Sequence, residues 1–238
     1  MQAVAYAGLV ALANLAGGLL ITTRVRHSAA ALGALVAFGA GFMLAVVVLE
    51  MLPGAMTVGG GLTAVLAGYL GVHLTQHTLT PHFHFGEETH KEAMVSPGVG
   101  VFALVGLLPH AFFDGVAISS GFLADQKLGL LIFAAVILHK VPTGVSLASI
   151  MLASGNTVRQ TVLALVAVGL ATMLGAALTP MVGVLARYGL AAAAGVTIYV
   201  AASNLIPESQ REPGWRIPGA VFLGVVAFYL ARLLLPGS

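Results

Sequence analysis

The sequence predicts an all-α integral membrane protein of eight transmembrane helices, and three observations lead there. Of its 238 residues 59% are hydrophobic and only 8% charged, with a mean hydropathy of +1.02, whereas a soluble domain carries about 25% charged residues. The apolar residues also fall into runs of about 20, the length that crosses a bilayer as a helix. Finally, the runs lack the two-residue alternation of barrel strands. Open sheets are excluded in any case, because their edges would find no hydrogen-bond partner in lipid.

Breaks supplied by charge, Gly and Pro delimit the spans at about 3–21, 29–52, 61–79, 97–122, 128–152, 160–185, 190–207 and 217–235. No Lys or Arg precedes the first apolar run, so it reads as a span and not as a secretory signal, which needs a positive start. The second begins after Arg24 and Arg26 and stops at Pro53; the third runs from Gly61 to the polar stretch opened by Thr80. The fourth starts at Pro97, the fifth after Lys127, and the sixth lies between Arg159 and Arg187. Pro207 ends the seventh, and the eighth follows Arg216. Residues 1–238 thus read as one transmembrane domain. Its 30 glycines suit helices packed backbone to backbone, since small residues permit close approach in lipid.

Loop charge sets the expected orientation. Arg24, Arg26, Lys91, Arg159, Arg211 and Arg216 follow spans one, three, five and seven, against Lys127 and Arg187 on the other side and Arg232 near the last helix end. Positive residues mark the cytoplasmic face, which leaves both termini extracytoplasmic. Basic residues in short loops report topology, so no nucleic-acid surface is expected, and the bilayer is the main partner. The absence of cysteine excludes disulfides, Fe–S clusters and thiolate metal sites. The eight methionines are scattered, which speaks against a Cu(I) route.

Chemistry concentrates in two spans that open alike, His110-Ala-Phe-Phe-Asp114-Gly115 and His139-Lys-Val-Pro-Thr143-Gly144. Helical spacing puts Asp114 on the face of His110 and Thr143 on that of His139. Two such helices can share a pocket whose imidazoles and carboxylate suit zinc and its first-row neighbours. Ionisable groups within a span cost about 2.5–3.5 kcal/mol each on insertion scales and normally line a path or pair together. Glu50, Asp114 and Lys140 all qualify, while Glu208 lies just past Pro207 at a span end. His73 and His77 precede the longest connection, 80–96, which holds His82, His84 and His90 and could collect metal. Aligning Gly41 with Gly195 sets Pro53 on Pro207 and Glu50 on Asn204. Spans two and seven, and likewise four and five, then run as inverted repeats, a plan of secondary transporters.

These residues resemble the ZIP family, the Zrt/Irt-like zinc and iron transporters. The family's His-Asn-Phe-x-Asp-Gly of span four is similar to 110–115, and its His-Glu-x-Pro-His-Glu of span five to 139–144. The Leu49-Glu50-Met51-Leu52-Pro53 and Leu205-Ile206-Pro207-Glu208 span ends and the histidine-bearing loop agree as well. The resemblance implies transport of Zn²⁺, with Fe²⁺, Mn²⁺, Co²⁺ and Cd²⁺ as further cargo, into the cytoplasm across a cell (plasma or inner) membrane. It implies no enzymatic activity and no organic cofactor. A bundle including spans four and five would slide against a scaffold that often forms a homodimer. His110, Asp114 and His139, with Thr143, would hold the ion. Ala111 and Lys140 stand where the family places ligands of a second metal, and neither can ligate a cation; Lys140 is a surrogate for that ion.

Two other functions fit parts of the pattern. An intramembrane zinc-dependent hydrolase would need a third histidine, for which only His73 is placed, and His-Glu-x-x-His is absent. A proton-coupled cation antiporter would rest on an Asp114–Lys140 pair.

Overall fold

The computed structural model describes residues 2–22, 29–79, 97–209 and 215–235, and every regular element among them is helical. In order these are α1 (Gln2–Thr22), α2 (Ala29–Val46), a π-helical turn (Val47–Met51), α3 (Leu52–Met56), α4 (Gly61–Leu79), α5 (Pro97–Ala124) and α6 (Gln126–Ala153). They continue with α7 (Val158–Leu178), α8 (Gly183–Ile198), a second π-helical turn (Tyr199–Leu205), α9 (Ile206–Ser209) and α10 (Arg216–Leu234). Because α2 runs on into α3 and α8 into α9, the described residues make eight rods. Seven are long and apolar enough to cross a membrane. The remaining rod, α4, has 19 residues, but His73, Gln76 and His77 dilute its second half. Its outer edge still presents Leu62, Leu66, Leu70 and Leu74, all exposed at four-residue intervals, the stripe that a lipid-facing helix needs.

Local chemistry sets the helix ends. Asp125 caps α6 by accepting from Leu128 N–H at 3.0 Å, and Thr157 and Gln160 close a capping box on α7. Two boundaries differ from expectation. The sixth rod ends at Leu178 and the seventh starts at Gly183, so the break surrounds Pro180, which has no N–H to continue the ladder. Arg187, the charge that suggested a later break, lies inside α8 with its guanidinium 5.2 Å from the Tyr188 ring centre; a long side chain reaches the interface from within a helix. The second rod passes Pro53 and ends at Met56. Its π turn, where Leu52 N–H bonds the carbonyl of Val47 five residues back, absorbs the proline without ending the helix. Ile206 N–H bonds the carbonyl of Ala201 in the same way ahead of Pro207.

The π turns are one sign of an inverted repeat that runs through the packing. Helix α1 packs on α6 as α7 packs on α5, and α2 packs on α10 as α8 packs on α4. Gly144 and Gly17 let α6 and α1 meet at the carbonyls of Asn14 and Val141. Gly115 and Gly175 let α5 and α7 meet at those of Thr172 and Phe112. Val141 and Phe112 both lie two residues after their motif histidine, and Gly144 and Gly115 five after. Gly41 and Gly224 seat α2 and α10 on the carbonyls of Val221 and Phe38, as Gly195 and Gly68 seat α8 and α4 on those of Val65 and Ala192. A Cβ at any of these positions would strike backbone. Gly144→Val is therefore expected to lower stability by at least about 1–3 kcal/mol, read as an earlier thermal unfolding midpoint in detergent.

Helices α1, α5, α6 and α7 form one closely packed unit. The α2/α10 and α4/α8 pairs flank it, meeting it chiefly where α5 lies against α8 and α6 against α2.

Candidate metal centre

The two motifs meet at the middle of the central unit. His110 and Asp114 come from adjacent turns of α5 and His139 from the antiparallel α6, and their ligand atoms lie within 4.8 Å of one another, all buried. Asp114 Oδ2 is the focus: His110 Nε2 is 3.3 Å away, His139 Nε2 3.6 Å and Lys140 Nζ 2.5 Å. The imidazole ring centres are 5.5 Å apart. Pro109 and Pro142 sit within unbroken α5 and α6.

Hydrogen bonding orients one ring for metal. His139 Nδ1 lies 3.0 Å from the carbonyl oxygen of Ala135; a carbonyl only accepts, so Nδ1 donates and Nε2 keeps its lone pair on the Asp114 side. His110 has no such anchor. Its Nδ1 is buried without a hydrogen-bond partner. The Thr143 hydroxyl donates to the carbonyl of His139 at 2.8 Å, which leaves the oxygen lone pairs for another group.

Lys140 has no solvent exposure at all. Burying an unpaired ammonium in hydrocarbon is costly, and its contact with Asp114 is the compensation the fold supplies. Ala111 is likewise fully buried and packs in an apolar cluster with Leu107, Leu147 and Leu165.

The other sequence candidates scatter. Glu50 is in the first π turn and pairs with Arg232, Oε1 to Nε 2.8 Å, away from the histidine cluster. His73 is exposed on α4 with its ring edge-on to Tyr199 at 5.7 Å, so it supplies no third histidine to the centre. His77 and Glu208 belong to α4 and α9, but their side chains, like all of His82, His84 and His90, lie outside the described residues.

Two buried amides complete the surroundings. Asn204 Nδ2 donates to Gln76 Oε1 at 3.3 Å. Together with His110 and Thr143 they line a cavity of about 20 Å³, whose remaining wall is Leu107, Val200 and Leu205. This pair is the repeat counterpart of Glu50 and Arg232. Glu50 and Asn204 each stand three residues before their proline, and Arg232 and Gln76 each stand eleven after the valine that receives a partner glycine. Neutral amides carry no charge signature, so Gln76 does not stand out in the sequence, and Asn204 does so only through the Glu50 alignment.

The rods and the buried cluster define a polytopic membrane protein with two imidazoles and a carboxylate gathered inside the helix bundle. Residues 71–230 match the family model of the ZIP zinc transporters, and the chain belongs to that family. The family is one of transporters and not of enzymes, which sets the hydrolase reading aside, and the long apolar rods fit a multi-pass membrane protein. The chain is 30% identical over 135 residues to the human zinc transporter ZIP6, an alignment covering 54% of this chain and 18% of the relative. The chain thus spans less than a fifth of that protein's length.

Proposed function

We propose that residues 1–238 act as one transporter domain that carries divalent transition-metal ions, zinc foremost, into the cytoplasm through the His110, Asp114 and His139 centre. The observation that carries this reading is the convergence of three ligand atoms within 4.8 Å, fully enclosed between α5 and α6. Two imidazoles and a carboxylate, with Thr143 or water as a fourth ligand, suit the tetrahedral preference of zinc. The relative's role as a zinc transporter supports the same cargo. Fe²⁺, Mn²⁺, Co²⁺ and Cd²⁺ accept the same donor types and are the alternative cargo.

Transport needs a site that binds well enough to replace water and weakly enough to release. Lys140 serves the second condition. An arriving dication competes with the ammonium for Asp114, so binding is held below that of a wholly anionic shell. The ion pair re-forms when the ion departs. An antiporter reading shares this pair, but the two imidazoles that approach the same carboxylate oxygen favour a metal.

The loop charges support termini outside the cytoplasm, residence in a cell membrane is part of the same reading, and the exposed apolar flanks of α4 and α10 suit contact with lipid or with a second copy as a homodimer. The deciding experiment is uptake by vesicles holding the full chain, with Zn²⁺, Cd²⁺, Fe²⁺ and Mn²⁺ offered separately to native protein and His110→Ala. Zinc flux that is equal in the two would end the proposal. His82, His84 and His90 would then act as collectors at the cytoplasmic mouth. Replacing all three by serine is expected to leave flux measurable with altered concentration dependence, and complete loss in folded protein would place the loop in the path itself.

A further inference from the structure

We propose that Gln76, Asn204, Thr143 and His110 form a second, transient cation site, one step from the main centre towards the face that bears segment 80–96. This rests on the metal-transport reading of the centre. The direction follows from the chain. Gln76 is three residues from the end of α4, which leads into 80–96; His110 precedes Asp114 by one turn in α5, which begins after that segment. Thr143 follows His139 by one turn in the antiparallel α6, and Asn204 lies towards the end of the seventh rod on the same face. All four bound one cavity.

The cavity has the size and lining for a cation in transit. About 20 Å³ is enough to hold water, and the polar wall can replace part of an entering ion's shell. Two carboxamides and a hydroxyl offer neutral oxygens. Such ligands hold a dication by dipoles alone, so residence is short. The Thr143 hydroxyl already donates to the backbone carbonyl of His139, and the Asn204 amide N–H to Gln76 Oε1; each retains an oxygen that can only accept.

A separate observation points to an occupant. His110 Nε2 is turned to Asp114 at 3.3 Å, while Nδ1 is buried with no partner. An unpaired buried nitrogen is costly, and of the three clustered residues His110, Asp114 and His139 it is His110 that also borders the cavity. An ion there, or water carried on it, supplies what Nδ1 lacks. The ring then faces both stations.

The test uses the full chain in vesicles, with Zn²⁺ flux as one readout and Cd²⁺ bound per purified chain as the other. In Asn204→Leu and Gln76→Leu, flux is expected to fall about tenfold or more while Cd²⁺ affinity at the main centre stays within about twofold of native. Asn204→Asp, nearly isosteric, is expected to raise Cd²⁺ from about one to about two ions per chain and to slow its release, as a charged ligand should. Native flux in both leucine variants, or one ion per chain in Asn204→Asp, overturns the second site. Failure of the main centre is distinct: native protein and His139→Ala would then bind Cd²⁺ alike.

Discussion

Vesicles containing His139→Ala should take up zinc at least about 100-fold more slowly than native ones. Loss of groups that only orient a metal ligand typically costs about 10–100-fold, and His139 is itself the proposed ligand with the fixed lone pair. Its Nδ1 is held by Ala135, so its Nε2 reaches the centre without reorganisation. Asp114→Ala should do as much and in addition strand Lys140, whereas His110→Ala leaves the anchored pair intact. The order expected is therefore Asp114→Ala worst in stability, with His139→Ala and Asp114→Ala alike in flux. Uptake by folded His139→Ala protein at the native rate would remove the centre from the transport path.

The second large effect concerns Lys140. Removing one member of a buried ion pair leaves the other charged and desolvated, a loss of about 3–5 kcal/mol. Lys140→Met keeps the stem and deletes the charge, so it should destabilise the metal-free protein by about that amount. Added Zn²⁺ should restore much of the loss, because an ion takes the place of the ammonium beside Asp114. A variant equally unstable with and without zinc would mean that Lys140 serves packing alone. The converse change, Ala111→Asn with Lys140→Glu, supplies the oxygens that Ala111 and Lys140 lack. Elemental analysis should then find the bound metal rising towards two ions per main centre; a ratio that stays at one would show that Lys140 does not stand in a metal's place.

The main centre was legible in the sequence because charge inside an apolar run is expensive. His110, Asp114, His139 and Lys140 announce themselves by that cost, and helical spacing puts the first two on one face. The rods were legible for the same reason, with the end of the sixth misplaced because Arg187 is a more conspicuous polar signal than Pro180. A proline acts through its missing N–H, and whether it ends a helix depends on the turn before it. Pro180 does so, while Pro53 and Pro207 follow π turns that carry the rod onward. Glu50 was legible as an acid within a span but not as the partner of Arg232, nearly two hundred residues away in the chain. Gln76 and Asn204 were the hardest to see: a carboxamide in a span is cheap, and its meaning arises only when two of them face a cavity.

The matched pairs Glu50–Arg232 and Gln76–Asn204 have an implication for energetics. Two identical halves running in opposite directions would make the outward-open and inward-open forms equivalent by a two-fold rotation in the membrane plane and equal in free energy. Every position at which the halves differ is then a weight on that balance, and about 1.4 kcal/mol of difference shifts the ratio tenfold. A salt bridge on one face and an amide pair on the other are such weights. If the two faces open in turn, the charged pair would part when its own face opens and the neutral pair when the other does. The resting preference of the transporter for one face would thus be written in four side chains, at positions where the backbone itself takes no side.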